Sequence, residues 1–218
     1  MSTIVEEIKN AYKVKEFIFL GDRGMLSDKN IKAIIWLNQK YVMAIPRACS
    51  KKYLQDRVID EAQMKEIRDK LFVQFLPPVN GQRFLLYLNT QKRTDDTEYR
   101  NNCITTIKEG LDALEKTLIE GKKSPIKSRD EAMKKVGGLL KLNKAGKYFN
   151  VQGKDDSGSH LGFVLEYGLN KEKIESDQRL DGTFVIQTHE QSYEGEKLVK
   201  IYKNLNKVVT AFRIIKND

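Results

Sequence analysis

Apolar and polar positions near the start of the chain follow two different periods. The apolar run Phe17–Leu20, closed by Gly21, predicts a buried strand. Residues 27–39 have apolar positions at helical spacing, and the run Tyr41–Ile45, ended by Pro46, predicts a second strand. The apolar stripe of the predicted helix consists of Ile31, Ile34, Ile35 and Trp36, with Ser27 or Asp28 as its N-cap. Strand, helix and strand in this order are the unit of a parallel α/β sheet.

The middle of the chain mixes helical and strand-like segments. Helices are predicted over 4–13, 60–72, 95–120 and 129–141, strands over 84–88 and 163–167, a turn over 77–81 and a polar loop over 153–159. The apolar side of the long charged helix over 95–120 consists of Ile104, Ile107, Leu111, Leu114 and Leu118. This part of the chain is therefore expected to be a mixed α+β region.

The last segment combines a strand with an amphipathic helix. A turn at Asp181-Gly182 precedes a predicted strand over 183–188, and Ser192 is the predicted N-cap of the helix that follows. The apolar seam of this helix consists of Leu198, Ile201, Leu205, Val208, Phe212 and Ile215. Beside it runs a second stripe, formed by Tyr202, Asn206, Val209, Arg213 and Lys216. We therefore expect one side of the helix to be buried and its flank to be open to an anionic partner.

The composition favours a folded intracellular protein. Apolar residues make up 40% of the chain, which is enough for a core. No apolar run approaches the roughly 18–20 residues of a membrane span, and no signal peptide is evident, so we expect a cytoplasmic protein without a membrane partner. Cys49 and Cys103 lack the spacing of a zinc site, and His160 and His189 have no Cys or His neighbours.

The chain is basic, with a net charge of +9 from 39 Lys plus Arg against 30 Asp plus Glu. This excess suits a polyanionic partner, because Lys and Arg that neutralise phosphates release condensed counterions. Charge alone does not separate a DNA-binding protein from other basic proteins.

Three stretches resemble the DDE transposases of bacterial insertion sequences, in the branch with a Tyr-x2-Arg-x3-Glu-x6-Lys signature. They are residues 17–27 (Phe-Ile-Phe-Leu-Gly-Asp-Arg-Gly-Met-Leu-Ser), residues 180–188 (Leu-Asp-Gly-Thr-Phe-Val-Ile-Gln-Thr) and residues 202–216 (Tyr-Lys-Asn-Leu-Asn-Lys-Val-Val-Thr-Ala-Phe-Arg-Ile-Ile-Lys). Their order and spacing also match, so the resemblance covers nearly the whole chain.

The resemblance implies an α/β fold, namely a partial ribonuclease H-like catalytic domain with a mixed α+β insertion. In that family three carboxylates hold two Mg²⁺ ions, which drive phosphodiester cleavage and strand transfer during DNA transposition. Asp22 matches the second carboxylate and would be the catalytic, metal-binding residue. Tyr202 and Lys216 match strand-contacting positions, with Arg213 on the same face, and would bind the DNA of transposon ends. On residue pattern alone, Asp22 caps a turn or pairs with Arg23, and the basic flank is a solvated surface.

The chain departs from the family at the other two carboxylates. The third falls at Val209, and no Asp or Glu occurs between Glu196 and Asp218. Leu205 stands at the arginine position of the signature. Only 21 residues precede Asp22, so we expect the first carboxylate and the family's N-terminal DNA-binding region to lie outside this chain. One ligand of three does not give Mg²⁺ its octahedral coordination, so we expect no turnover by this chain alone.

These patterns predict three segments and leave three functions open. Residues 1–60 are the expected N-terminal remnant of the ribonuclease H-like core, 61–180 the insertion, and 181–218 the last strand and the catalytic-type helix. The leading hypothesis is the C-terminal part of an insertion-sequence transposase that is inactive by itself. The alternatives are a non-catalytic protein that binds DNA or inhibits intact transposase, and a chain completed by a separately encoded N-terminal half. An unpaired edge at Phe17–Leu20 would make the product association-prone.

Overall fold

The chain is divided between two compact units. The computed structural model describes residues 7, 10–21, 27–54, 59–120, 126–159 and 161–205. The first unit contains residues 1–93 and 182–218, and the second contains residues 94–181. The strands between residues 65 and 89 thus belong to the first unit, although the sequence assigned them to an insertion over 61–180. Among the described helices, none has both the length and the apolar character that crossing a membrane requires.

The structure has eight strands and six helices of more than one turn within the described residues. The strands are β1 (Ile18–Gly21), β2 (Lys40–Ala44), β3 (Lys65–Arg68), β4 (Leu71–Val79), β5 (Gln82–Asn89), β6 (Phe149–Asp155), β7 (Phe163–Leu169) and β8 (Thr183–Thr188). The helices are α1 (Asp28–Trp36), α2 (Arg47–Leu54), α3 (Thr90–Glu120), α4 (Arg129–Lys141), α5 (Lys171–Gln178) and α6, which is described over 195–205.

The predicted strand–helix–strand unit at the start of the chain is confirmed. β1 and β2 pair in parallel, with Ile18 opposite Lys40 and Gly21 opposite Met43. The Ser27 hydroxyl caps α1 by accepting a hydrogen bond from the third backbone N–H after it, at 3.3 Å. Parallel neighbours joined by a helix make this part of the protein α/β.

The predicted apolar stripe of α1 is wrong at two of its four positions. Ile31 and Ile34 are buried and pack against the sheet, whereas Ile35 is 40% exposed and Trp36 is 81% exposed. At 100° per residue, position 36 is turned well away from the side that positions 31 and 34 share. An apolar residue near the end of a helix therefore does not by itself mark the buried side.

One mixed sheet has the strand order β1, β2, β8, β5, β4, β3. β1 and β2 are parallel, and every other neighbouring pair is antiparallel. Among the described residues no strand pairs with the outer edge of β1, and β3 closes the other side of the sheet. The protein is therefore a mixed α/β protein with β1 at a sheet edge.

The helix predicted over 60–72 is wrong. A 3₁₀ turn at Glu61–Gln63 is followed by β3 and β4, which form an antiparallel hairpin. Lys70 lies in the hairpin turn with a φ of 61°. The apolar positions in this stretch are too few to separate a helix from a strand by period, and pairing with a neighbouring strand decides the outcome.

The turn predicted over 77–81 is confirmed only at its end. Asn80 and Gly81, with φ of 51° and 72°, join β4 to β5, as expected of an Asn-Gly hairpin turn. Pro77 and Pro78 lie within β4 instead. They follow the part of β4 that pairs with β3, which ends at Val73, so no N–H is needed on that side.

Both faces of the sheet are covered in the first unit. One face packs against α6 through Val42, Val73, Leu85, Tyr87 and Ile186, which meet Leu198 and Val199 of the helix. The opposite face packs against α1, and the Tyr53 ring of α2 stacks on Phe84 with centroids 4.3 Å apart. Successive strand residues point to opposite faces, which explains the division of β2 between the two layers.

The second unit has its own core between α3, α4 and the β6–β7 hairpin. The predicted bounds of α4 are confirmed, and two hydrogen bonds fix its start: the Ser128 hydroxyl accepts from Glu131 N, and the Glu131 carboxylate accepts from Lys127 N. The core residues are Cys103, Ile107, Leu111, Leu114, Leu118, Ile126, Ala132, Val136, Ala145, Tyr148, Phe149, Phe163 and Leu165. Four of the five residues predicted on the apolar side of α3 are among them.

Candidate functional site

The candidate site lies at the edge of the sheet where β1 and β2 end. β1 ends at Gly21, and the next residue in the sequence is Asp22, which lies outside the described residues. β2 reaches the same edge, because Gly21 is opposite Met43. β8 is antiparallel to β2 and begins at this edge, since Ile45 N donates to Val185 O at 2.9 Å. Open α/β sheets expose functional groups at the carboxyl ends of parallel strands.

Three aromatic rings and a lysine gather at this edge. Tyr87 of β5 and Phe184 of β8 are opposite each other, with ring centroids 4.3 Å apart. Tyr202 of α6 packs on Phe184 at 5.4 Å, and Lys203 Nζ lies 5.2 Å from the Tyr87 centroid. Tyr202 is half-buried and Lys203 is exposed. Tyr202 therefore has a packed ring beside the start of β8.

α6 crosses the sheet towards this edge. Its first turn approaches the sheet closely, because a Cβ on Gly195 would lie 3.1 Å from Val73 Cγ2. Leu198 and Val199 are buried at 0% and 3% exposure, and Tyr202 one turn later reaches Phe184 near the start of β8. The helix therefore begins over Val73 and Leu85 of β4 and β5 and reaches Phe184 of β8 at Tyr202.

A set of hydrogen bonds fixes the loop that enters α6. Arg83 Nη1 donates to the carbonyl oxygens of Glu190, Gln191 and Tyr193 at 2.9–3.0 Å. The Arg83 guanidinium also lies 4.0 Å from the centroid of the Phe75 ring. One arginine thus holds three carbonyl groups of the loop in place.

The predicted N-cap at Ser192 is wrong. α6 begins at residue 195, with Leu198 N donating to Glu194 O at 3.0 Å. Ser192 instead donates its N–H and its hydroxyl to the Glu190 carboxylate, which also pairs with Lys40 Nζ at 3.0 Å. The Ser192 hydrogen bonds and Lys40 lower the pKa of Glu190 to about 2. This carboxylate is therefore part of the loop and not of a helix cap.

His189 lies at the opposite end of the sheet from the candidate site. Its ring stacks on Tyr41 at 4.9 Å, and its Nδ1 is buried without a hydrogen-bond partner among the described residues. Burial lowers the pKa of His189. The arrangement is that of a histidine packed beside a tyrosine.

The candidate edge is basic along α6. Lys197, Lys200 and Lys203 are exposed, and the sequence has no acidic residue from 197 to 217. The first unit holds 23 Lys plus Arg against 14 Asp plus Glu, while the second holds 16 of each, so the whole net charge of +9 belongs to the first unit. Such a surface attracts a phosphate backbone.

Most of the predicted site residues belong to segments outside the described part of the chain. Asp22, Val209, Arg213 and Lys216 lie outside the described residues, and of the predicted DNA-binding residues only Tyr202 is described. Tyr87, Phe184 and Lys203 were missed at the sequence level. The signal was present, because strand alternation puts the two aromatic residues on the face that α6 covers.

Asp22, the residue predicted to bind magnesium, lies outside the described residues. Among them, no group of three or more His, Cys, Asp and Glu side chains is placed to hold a metal ion. The side chains gathered at the edge are aromatic or basic, and Asp181 of the Asp-Gly pair is bound to Arg100 in the second unit. No reaction step through Mg²⁺ follows from these residues.

Comparison of the chain with protein-family models, with curated proteins and with solved structures returned no match.

Proposed function

We propose that this chain is a DNA-binding part of the catalytic core of an insertion-sequence DDE transposase, with a ribonuclease H-like arrangement of β1, β2 and α6, and that it does not cleave DNA by itself. The observation that carries the proposal is that Tyr202 of α6 packs against the same hydrophobic cluster as Ile18 and Leu20 of β1. Two of the three stretches that resemble the family, far apart in the sequence, thereby contribute to one hydrophobic cluster.

The sheet supports the same proposal. The parallel β1–α1–β2 unit provides the strand end at which a functional carboxylate is expected. α6 covers the face of the sheet that carries Val42, Tyr87 and Phe184, and it presents exposed lysines beside the aromatic edge. A helix of this kind can lie against a phosphate backbone without reading bases.

The expected absence of turnover rests on Val209 and on the acid-free stretch around it. The family's third carboxylate falls at Val209, and no Asp or Glu lies within residues 197–217 to replace it. Two-metal catalysis needs carboxylates on both ions, so a chain with Val209 would bind DNA without activating a water or a 3′-hydroxyl.

An alternative function is inhibition of intact transposase or completion by a second chain. The observation that favours it is the outer edge of β1, with which no strand pairs among the described residues. Such an edge offers backbone N–H and C=O groups to an incoming strand. In this alternative, the partner is a protein that supplies an adjacent strand.

The test is DNA binding by fluorescence anisotropy over a salt series, with and without Mg²⁺. We expect salt-dependent binding that is indifferent to Mg²⁺, with a slope of log K against log salt that falls by about 2 in the double variant Lys200→Gln, Lys203→Gln. The matched control replaces Lys29 and Lys32 on α1, which are equally exposed on the opposite face of the sheet. No binding at low salt, or equal losses in both double variants, would refute the proposal. Mg²⁺-dependent strand cleavage would refute the inactivity inferred from Val209.

A further inference from the structure

The second unit has a strongly polarised charge distribution although its net charge is zero. It holds 16 Lys plus Arg and 16 Asp plus Glu, yet residues 132–154 contain six lysines and no acidic residue. Lys147 pairs with Asp177 at 2.5 Å. The lysine strip, defined as Lys134, Lys135, Lys141 and Lys144, is exposed and has no ion-pair partner among the described residues.

α4 sets the direction of this strip. Its buried side carries Ala132 and Val136, and Lys134 is turned about 200° from each at 100° per residue. Lys141 is seven residues further on, on the same side as Lys134 and about 10 Å along the axis. Two lysines thus project outward along α4, and Lys144 follows in the next turn.

The surface between these lysines is open. Gly137 and Gly138 lie between them, and a Cβ at either position would have no heavy atom within 4 Å. Packing within the unit therefore does not require either glycine, unlike Gly110, where a Cβ would lie 2.6 Å from Leu139 Cδ2. A ligand backbone can come close to α4 between Lys134 and Lys141.

We propose that the lysine strip is a binding surface for the phosphate backbone of double-stranded DNA. The four lysines of the strip are complementary to a regular array of phosphates, and each lysine that neutralises one releases a counterion. The strip has no Arg fork and no aromatic ring to read base edges, so its contacts are independent of sequence.

The chemistry of the strip favours DNA over other polyanionic partners. Protein interfaces are depleted in Lys and anchored by aromatic residues and Arg, which the strip lacks. A membrane-surface helix needs a free apolar side, whereas Ala132 and Val136 of α4 are buried in the core of the unit. The proposal does not rest on the proposed function, because it concerns residues of the second unit only.

The test compares two triple variants of the full chain by anisotropy with a labelled DNA duplex in increasing KCl. The strip variant carries Lys134→Gln, Lys141→Gln and Lys144→Gln. We expect it to bind DNA about tenfold or more weakly and to reduce the salt slope by about 2 to 3. The control variant carries Lys116→Gln, Lys171→Gln and Lys173→Gln, which remove the same charge from α3 and α5 of the same unit. It should change the affinity and the salt slope only slightly. Far-UV circular dichroism and thermal melting check that both remain folded.

Several outcomes would overturn the proposal. These are an unchanged affinity in the strip variant, an equal loss in both triple variants, or strip-dependent binding to vesicles containing 30% phosphatidylserine without strip-dependent binding to DNA. The double variant of Lys200 and Lys203 is measured in parallel. A loss there without a loss in the strip variant refutes only the strip, and the reverse refutes only the proposed role of α6.

Discussion

Arg100 and Asp181 form a buried ion pair with two contacts, Nη1 to Oδ1 at 2.9 Å and Nη2 to Oδ2 at 2.5 Å. Their side chains are 6% and 1% exposed, and the Thr97 hydroxyl donates to Asp181 Oδ2 at 3.1 Å. Asp181 is the last residue of the second unit before the chain returns to the first at residue 182. The carboxylate of the Asp-Gly pair thus ties the end of the second unit to α3.

Removing one partner of this ion pair should strongly destabilise the protein. Arg100→Met leaves the Asp181 carboxylate buried without its counter-charge, and we expect a loss of about 3–5 kcal/mol in the free energy of unfolding. Urea unfolding followed by circular dichroism measures it. Lys108→Met removes one partner of the exposed pair with Asp112 and should cost less than about 0.5 kcal/mol. Similar losses in the two variants would mean that the Arg100 pair is solvated in solution.

Gly182 should not tolerate a side chain. It has a φ of 66°, and a Cβ there would lie 2.3 Å from the carbonyl oxygen of Asn89 and 2.6 Å from the backbone nitrogen of Arg93. Gly182→Ala therefore adds a backbone clash to the strain of a left-handed conformation, which alone costs about 1–2 kcal/mol. Gly81→Ala is the matched control, because its φ is 72° and nothing lies within 4 Å of its Cβ. Urea unfolding should show a clearly larger loss for Gly182→Ala, and equal losses would contradict the close approach.

The sequence predicted the elements whose signals are local. Ser27 marks a helix start with a hydroxyl and a following backbone N–H, and the run Phe17–Leu20 ends at a glycine, so α1 and β1 were predicted near their observed bounds. The bounds of α4 were also predicted. Parallel pairing of β1 and β2 also followed from the order of elements. These features depend on a few neighbouring residues.

The sequence did not predict the features that depend on distant contacts. β3 exists because β4 pairs with it, and Pro77 and Pro78 are tolerated in β4 because that stretch lies beyond β3. At the candidate site, Tyr202 was predicted, but it packs on Phe184, which lies against Tyr87 only through strand pairing between β5 and β8. Neither contact has a signature in a single segment.

Glu190 should make stability depend on pH in the acidic range. Its pKa is lowered from 4.5 to about 2, first by the Ser192 hydrogen bonds and then by Lys40, so the ionised form stabilises the fold above about pH 4.5. That contribution is lost as the pH falls towards 2. Glu190→Gln should be less stable by about 1 kcal/mol at pH 7, with a gap that closes at acidic pH. Urea unfolding at several pH values measures this. A pH-independent gap for Glu190→Gln would contradict the assignment.

Replacing Gly138 with Ala should stabilise the second unit. Glycine in a helix interior is less favourable than alanine by about 0.8–1.0 kcal/mol, and a Cβ at Gly138 meets no atom within 4 Å. We expect a gain approaching that amount in thermal or urea unfolding. Gly110→Ala on α3 is the matched control. Its Cβ would press on Leu139, so we expect no gain in stability from this substitution. An equal gain in both variants would show that the packing of α3 against α4 is looser than the structure indicates.

Trp36 should report a water-exposed environment in the native protein. It is the only tryptophan of the chain and is 81% exposed at the end of α1, next to Ile35 at 40%. Dilute native protein should therefore emit at a wavelength close to that of free tryptophan in water, and acrylamide should quench it nearly as well as in urea. A blue shift that develops only as the protein concentration rises would mean that self-association covers Trp36. In that case Trp36→Gln should weaken the self-association without lowering the free energy of unfolding. A blue-shifted emission that persists at high dilution would instead contradict the exposure of Trp36 and restore the predicted apolar stripe of α1.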